Sequence, residues 1–298
     1  MSDSRRVLVT MFAAFAVFAT FVAFGALFMA CVPSTSTRVC NGHAELCDKP
    51  FDRVAFAGSH NAMSNIRDDF AAPNQREGLA AQLDLGVRAF LIDTHVDENG
   101  DAAFCHTSCV IGEIPIADGL ATFKAFLDAH PTEIVQLMVE DYITTEQWES
   151  AIERAGLVDD VIVHDPGTPW PTLGELVDGG ERLFITMEHS SPPPAWNHAM
   201  YLEYVDTPFS FHTLADLAAD ASCDKLRGSD DNALFLVNHW VEDPLPDEAL
   251  SKTVNAHDVL LERVRRCEAK RAHVANVVAV DYVSSGDVFE VVDELNGF

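Results

Sequence analysis

Seven apolar or β-branched runs in this chain each stop at a histidine, a carboxylate or an amide. The runs at about 53–59, 88–94, 102–106, 133–141, 182–188, 233–240 and 274–282 read as buried strands. Their ends carry His60 and Asn61, Asp93, His106, Glu140 and Asp141, Glu188 and His189, Asn238 and His239, and Asp281. Taken singly, each has a bland explanation, because most buried polar groups are merely hydrogen-bonded. Taken together they suggest a division of labour. Oxygen-bearing side chains suit a hard cation such as Ca²⁺, while imidazoles transfer protons near neutral pH. A zinc site would instead recruit the histidines as ligands, but neither H-x-x-x-H nor H-E-x-x-H occurs, and no G-x-S-x-G elbow supports a serine hydrolase.

Residues of this kind need a scaffold that gathers strand ends. Helical patterns at Glu77 to Leu85, Ala117 to Ala129, Thr145 to Ala155, Asn255 to Arg271 and Asp287 to Leu295 separate several of the runs. Strands and helices alternating over this length predict an α/β fold, a TIM-type (β/α)8 barrel in regular or distorted form, with its chemistry at the C-terminal ends of the strands. A doubly wound open sheet is the alternative, weakened by the lack of any Gly-rich phosphate loop after a strand.

The composition is that of a folded domain: 48% of 298 residues are hydrophobic, enough to build a full core. Nineteen Lys and Arg against 47 Asp and Glu give a formal charge of −28, which repels phosphate backbones and argues against nucleic acid as a partner. Arg5 and Arg6 precede an apolar run from Val7 to Val32, long enough to cross a bilayer and oriented to export the remainder of the chain. Leu27-Phe28-Met29-Ala30-Cys31 is similar to a bacterial lipoprotein signal, with Phe28 where leucine is usual. The chain therefore divides into a signal or anchor segment (1–32), a linker and disulfide-tied extension (33–50) and a barrel (51–298). It is expected to be exported, held to the membrane by a lipid on Cys31 or an uncleaved N-terminal helix, or secreted. With Cys31 set aside, six cysteines remain for an oxidising compartment. Proximity suggests Cys40 with Cys47, Cys105 with Cys109 and Cys223 with Cys267, among 15 connectivities.

Three ordered blocks, VAFAGSHNAMS, QLDLGVRAFLIDTHVDENGDAAFCHTSC and FKAFLDAHPTEIVQLMVEDY, resemble the catalytic half of phosphatidylinositol-specific phospholipases C. ALFLVNHW and NVVAVDYV resemble later strands of secreted bacterial and fungal relatives. The resemblance implies a phosphoric diester hydrolase acting on a phospholipid or another phosphodiester. His60 matches the general base that takes the proton of the inositol 2-hydroxyl, and His106 the general acid that protonates the departing diacylglycerol oxygen. Asn61, Asp93 and Glu140 match ligands of the calcium-dependent members; calcium-independent bacterial members carry arginine at the place of Asp93. Asp281 is positioned by its strand to hydrogen-bond an imidazole and fix its tautomer. His239, Trp240 and Tyr282, beside the last strand ends, are expected to contact substrate.

Two departures bear on function. Leu91 stands where the animal enzymes have a glutamate ligand, and Met187-Glu188-His189 lacks the lysines that grip ring phosphates there. Two other readings stay open: a glycerophosphodiester phosphodiesterase, whose glutamate-rich metal cluster would fall near Leu91 and Asp93, and a non-catalytic surface protein that binds an inositol or sugar head group.

Overall fold

The computed structural model describes residues 38–189 and 194–298. Ten strands, β1 (Phe56–Ser59), β2 (Ala89–Val96), β3 (Ala102–Phe104), β4 (Ile114–Pro115), β5 (Val135–Asp141), β6 (Leu183–Met187), β7 (His198–Ala199), β8 (Tyr204–Asp206), β9 (Leu234–His239) and β10 (Val277–Val280), form one sheet. The helices are α1 (Leu79–Leu85), α2 (Ile116–Ala129), α3 (Thr145–Ala155), α4 (Leu173–Gly179), α5 (Met200–Glu203), α6 (Leu214–Ala218), α7 (Glu248–Val254), α8 (His257–Arg271) and α9 (Val288–Asn296).

Eight strands run parallel in the order β7-β6-β5-β2-β1-β10-β9-β8. The sheet curls as a TIM-type barrel does, but among the described residues no ladder joins β7 to β8, so it is a half-barrel open on that side. The expected third barrel strand, 102–106, is corrected here. β3 pairs antiparallel with β2 and then with β4, forming a flap off one barrel strand instead of a stave. The helix expected over 255–271 is present but starts at His257; Asn255 lies between α7 and α8, and its side chain donates to Asp281 O (2.8 Å) and Ser285 O (3.1 Å). β7, β8 and α4 to α6 are too short to leave a readable period in the sequence.

Alternation along each strand builds two cores. One set of side chains, including Phe56, Ala89, Met138, Phe184, Leu236 and Ala279, fills the barrel interior. The intervening set, including Ala57, Phe90, Leu137, Ile185, Val237 and Val278, packs under the helices. Gly58 lies on the inward face, where a Cβ would sit 2.8 Å from Val277 Cγ1 and 3.1 Å from the Ala279 backbone, so β1 and β10 approach as only glycine permits.

Residues 38–50 pack against the N-terminal ends of the strands. Cys40, Leu46 and Phe51 join the interior core, and Phe51 stacks on Trp170 with centroids 4.6 Å apart. All three expected disulfides, Cys40–Cys47, Cys105–Cys109 and Cys223–Cys267, are present. The anchor segment 1–32 and Cys31 lie outside the described residues; among those described, no helix is long and apolar enough to cross a membrane.

Candidate active site

The inward-facing set changes character at the C-terminal ends of the strands. Asp93 and Glu140 are register partners on β2 and β5. His60 and Asn61 follow β1, Glu188 follows β6, Trp240 follows β9 and Asp281 follows β10. All but the fully buried Asp281 line a cavity of about 490 Å³, which shares His60, Asn61, Asp93, Glu140 and Trp240 with a wider mouth of about 1000 Å³ lined also by His106 and Glu242.

His60 is held from several sides. Its backbone N–H donates to Val280 O (3.0 Å), and Gln75 Nε2 donates to its carbonyl (2.7 Å). Nδ1 meets Asp281 Oδ1 at 2.8 Å, and the ring lies on Trp240 with centroids 3.6 Å apart and planes 8° apart. Asn74 Nδ2 donates both to Asp281 Oδ1 (3.1 Å) and to Glu242 Oε1 (3.0 Å). Burial is the largest influence and disfavours the His60 imidazolium, but the charge and hydrogen bond of Asp281, with the charges of Glu242 and Asp93, together outweigh it and the pKa is raised. Burial, and then the Asp281 charge, raise the pKa of Glu242.

His106 is held differently. It lies in the loop after β3, with Nε2 3.4 Å from Asn61 Nδ2, and its buried Nδ1 has no hydrogen-bond partner. Burial, then the charge of His60, lower its pKa. Asn61 adopts a left-handed conformation (φ 44°), which asparagine tolerates better than most residues.

Asp93, Glu140 and Asn61 offer hard oxygen donors at one rim. Burial, then the neighbouring Glu140, push the Asp93 pKa up to about 8. Among the described residues the charges acting on it are those of Glu140, His60 and Glu188, none of them a lysine or arginine. Asp93 and Glu140, side by side with no lysine or arginine ion pair among the described residues, fit a divalent ion such as Ca²⁺. Leu91 lines the same cavity without adding a donor, and Glu188, from the next strand, is engaged by Arg227. His60, Asp281 and Glu242 also bring one nitrogen and two carboxylate oxygens within 4.8 Å of one another, a second group that could hold an ion.

Two of the residues expected to contact substrate are placed elsewhere. His239 alternates outward from Asn238 and Trp240; it is fully buried, with Nε2 on Val254 O (3.0 Å) and Arg263 Nη1 3.4 Å from Nδ1. Burial and then Arg263 push its pKa down to about 3. Tyr282 is 5% exposed and spends its hydroxyl on Pro73 O (2.8 Å), away from both cavities. Trp240 alone of the three reaches the cavity.

Sequence reasoning misses Arg227 and Glu242. Arg227 comes from an irregular loop, pairs with Asp206 (2.6 Å) and Glu188, and lies over the rings of Tyr201 (4.6 Å) and Phe209 (5.0 Å). It is the only lysine or arginine among the described residues lining the two cavities. No periodicity announces it. Glu242 lies two residues past Trp240 and was legible only as one acid among many.

A curled parallel sheet whose C-terminal edge gathers histidines and carboxylates is a TIM-like half-barrel with a candidate active site at its mouth. The profile of the PI-PLC X 1 family matches residues 46–296, and the chain belongs to that family. PI-PLC X domain-containing protein 1 of Arthroderma benhamiae is 28% identical over 300 residues, covering 92% of this chain and 96% of the relative. A PI-PLC X domain-containing protein of Arabidopsis thaliana is 26% identical, covering 83% of this chain and 63% of that longer protein. An uncharacterized secreted protein of Arthroderma benhamiae is 25% identical over 88% of this chain and 65% of its own length. Among solved structures, phosphatidylinositol-specific phospholipase C from Listeria monocytogenes shares the fold with a TM-score of 0.55 at 17% identity, covering 85% of this chain and 96% of that one.

Proposed function

We propose that this chain is a phosphoric diester hydrolase of the phospholipase C type, in which His60 is the base, His106 the acid and Asn61, Asp93 and Glu140 hold a calcium ion. The observation that carries the reading is that His60 and His106 face one cavity mouth with Asn61 between them. With Nδ1 committed to Asp281, His60 presents Nε2 to a substrate hydroxyl. As that hydroxyl oxygen bonds to phosphorus, its proton passes to His60, and the imidazolium that forms is stabilised by Asp281. The bond from phosphorus to the leaving oxygen breaks while His106 gives that oxygen a proton, leaving a cyclic phosphodiester. A bound cation would supply charge neutralisation at the phosphoryl oxygens and acidify the attacking hydroxyl.

The opposite pKa shifts suit these roles: a raised His60 is the stronger base and a lowered His106 the stronger acid. They also mean that the productive protonation state is the less populated one of a coupled pair, so activity should follow a bell-shaped pH profile.

The charge of the cavity favours a head group without ring phosphates. Its one guanidinium is already engaged by Asp206 and Glu188, and the remaining charged walls are acidic. Phosphatidylinositol or a glycosylated relative fits this better than a polyphosphoinositide. The protein acts outside the cytoplasm, held to the membrane through its N-terminal segment or secreted; a secreted relative and three disulfides support export. The purified protein should cleave phosphatidylinositol in calcium and lose activity in chelator, with phosphorylated inositides poorer substrates. Head-group binding without turnover would favour the non-catalytic reading, and preferential cleavage of deacylated glycerophosphodiesters the other enzyme class.

A further inference from the structure

His60 and His106 differ in how they are fixed. His60 has a carboxylate, a stacked indole and backbone ties on both sides. His106 has no carboxylate, an unpartnered Nδ1 and a single 3.4 Å contact to an amide. Its loop meets the rest of the barrel at its two ends, while inside it Ser108 N donates to His106 O (2.6 Å) and Ile111 N to Ser108 O (3.2 Å). At the start, Cys105 is fully buried and its N–H donates to Asp93 O (3.3 Å). At the far end, Ala71 N donates to Ile111 O (2.8 Å), and Gly112 packs so tightly on Phe70 that a Cβ would come within 2.4 Å of the ring. Between these anchors the chain is partly or fully exposed, with Thr107 left-handed (φ 63°) and Val110 74% exposed. One covalent constraint spans that stretch: the Cys105–Cys109 disulfide, whose small ring contains His106.

We propose that the Cys105–Cys109 disulfide is a positioning element for proton transfer, holding His106 at the cavity mouth in place of the carboxylate that His60 has and His106 lacks. This rests on the assignment of His106 as the general acid. A ring closed over residues 105–109 removes most of the backbone freedom of the residue inside it, so the imidazole reaches the leaving oxygen without an ordering cost at each turnover. Cys109 is the partly exposed partner and Cys105 the buried one, so the bond can be removed at Cys109 without emptying the core.

The test uses leaving-group dependence, because a general acid matters for a poor leaving group such as an alkoxide and little for nitrophenolate. Turnover of Cys109→Ser, His106→Ala and wild type would be compared on phosphatidylinositol and on a nitrophenyl ester of inositol phosphate, with melting temperatures measured alongside. Cys109→Ser should lose at least about tenfold in kcat on the lipid while staying within about threefold of wild type on the nitrophenyl ester, the same direction as His106→Ala. A glycine inserted between Thr107 and Ser108, which keeps the disulfide but loosens the ring, should reproduce the pattern and serves if Cys109→Ser does not fold. Equal losses on both substrates, or no loss in a folded variant, would overturn the proposal. If His106→Ala itself shows no leaving-group dependence, it is the acid assignment that has failed.

Discussion

Asp93→Asn should make the cation-free protein more stable while ruining its response to calcium. Asp93 is 8% exposed, and burial together with Glu140 raises its pKa from 3.8 to about 8. Between those values the unfolded chain has released the proton that the folded chain still binds, so stability falls as pH rises, by about 1.4 kcal/mol per unit. Over the whole window the ceiling is about 6 kcal/mol, and water entering the cavity would reduce it to a few. Asparagine carries no charge and escapes this cost. Urea unfolding of both proteins in chelator, at steps from pH 4 to pH 8, should give similar stabilities at the acid end and a variant increasingly more stable toward pH 8. Calcium should then raise the melting temperature of the wild type far more than that of the variant, by mass action on a site the variant lacks. A variant less stable than wild type in chelator at pH 8 would refute the account of Asp93 as a crowded, uncompensated carboxylate.

His60→Ala and His106→Ala should each reduce turnover on a confirmed substrate by about 10² to 10⁴, and the double variant should lose little more, because the pair acts as a unit; near-normal kcat for His60→Ala would end this mechanism. His239 titrates in the other direction from Asp93: with its folded pKa pushed down to about 3, stability contributed at neutral pH is lost as pH falls below its unfolded value near 6.5. His239→Gln, which keeps a donor for Val254 O, should flatten that acid limb of a urea-stability profile without affecting kcat. Gly58→Ala should cost roughly 1–3 kcal/mol in urea midpoint terms, since the new methyl meets Val277 and the β10 backbone. Intact-mass analysis of membrane-extracted protein should find a lipid on Cys31 or an unprocessed N-terminus; a mature protein starting well beyond Cys31 would exclude both anchors.

Features that are local and periodic could be read from the chain alone. Runs of buried residues ending in polar ones located most barrel strands and, with them, His60, Asn61, Asp93, Glu140 and Asp281. Close spacing was enough for Cys40–Cys47 and Cys105–Cys109, because so few residues intervene that the partners cannot stray far. The remainder depends on tertiary contacts. A parallel strand buried on both faces reads as a continuous apolar run, so its inward phase is hidden; hence His239, beside Asn238 and Trp240, points into the helix layer and not the cavity. The run ending at His106 looked like another stave, but hydrogen bonding folds it back antiparallel on β2, and this flap, not a strand end, brings the second imidazole to the first. Arg227 and Glu242 acquire their places from loops whose paths depend on contacts distant in sequence: Arg227 on Asp206 and Glu188, Glu242 on Asn74. Such contacts exist only once the sheet has curled, because no pattern along the chain encodes which loops its open edge will bring together.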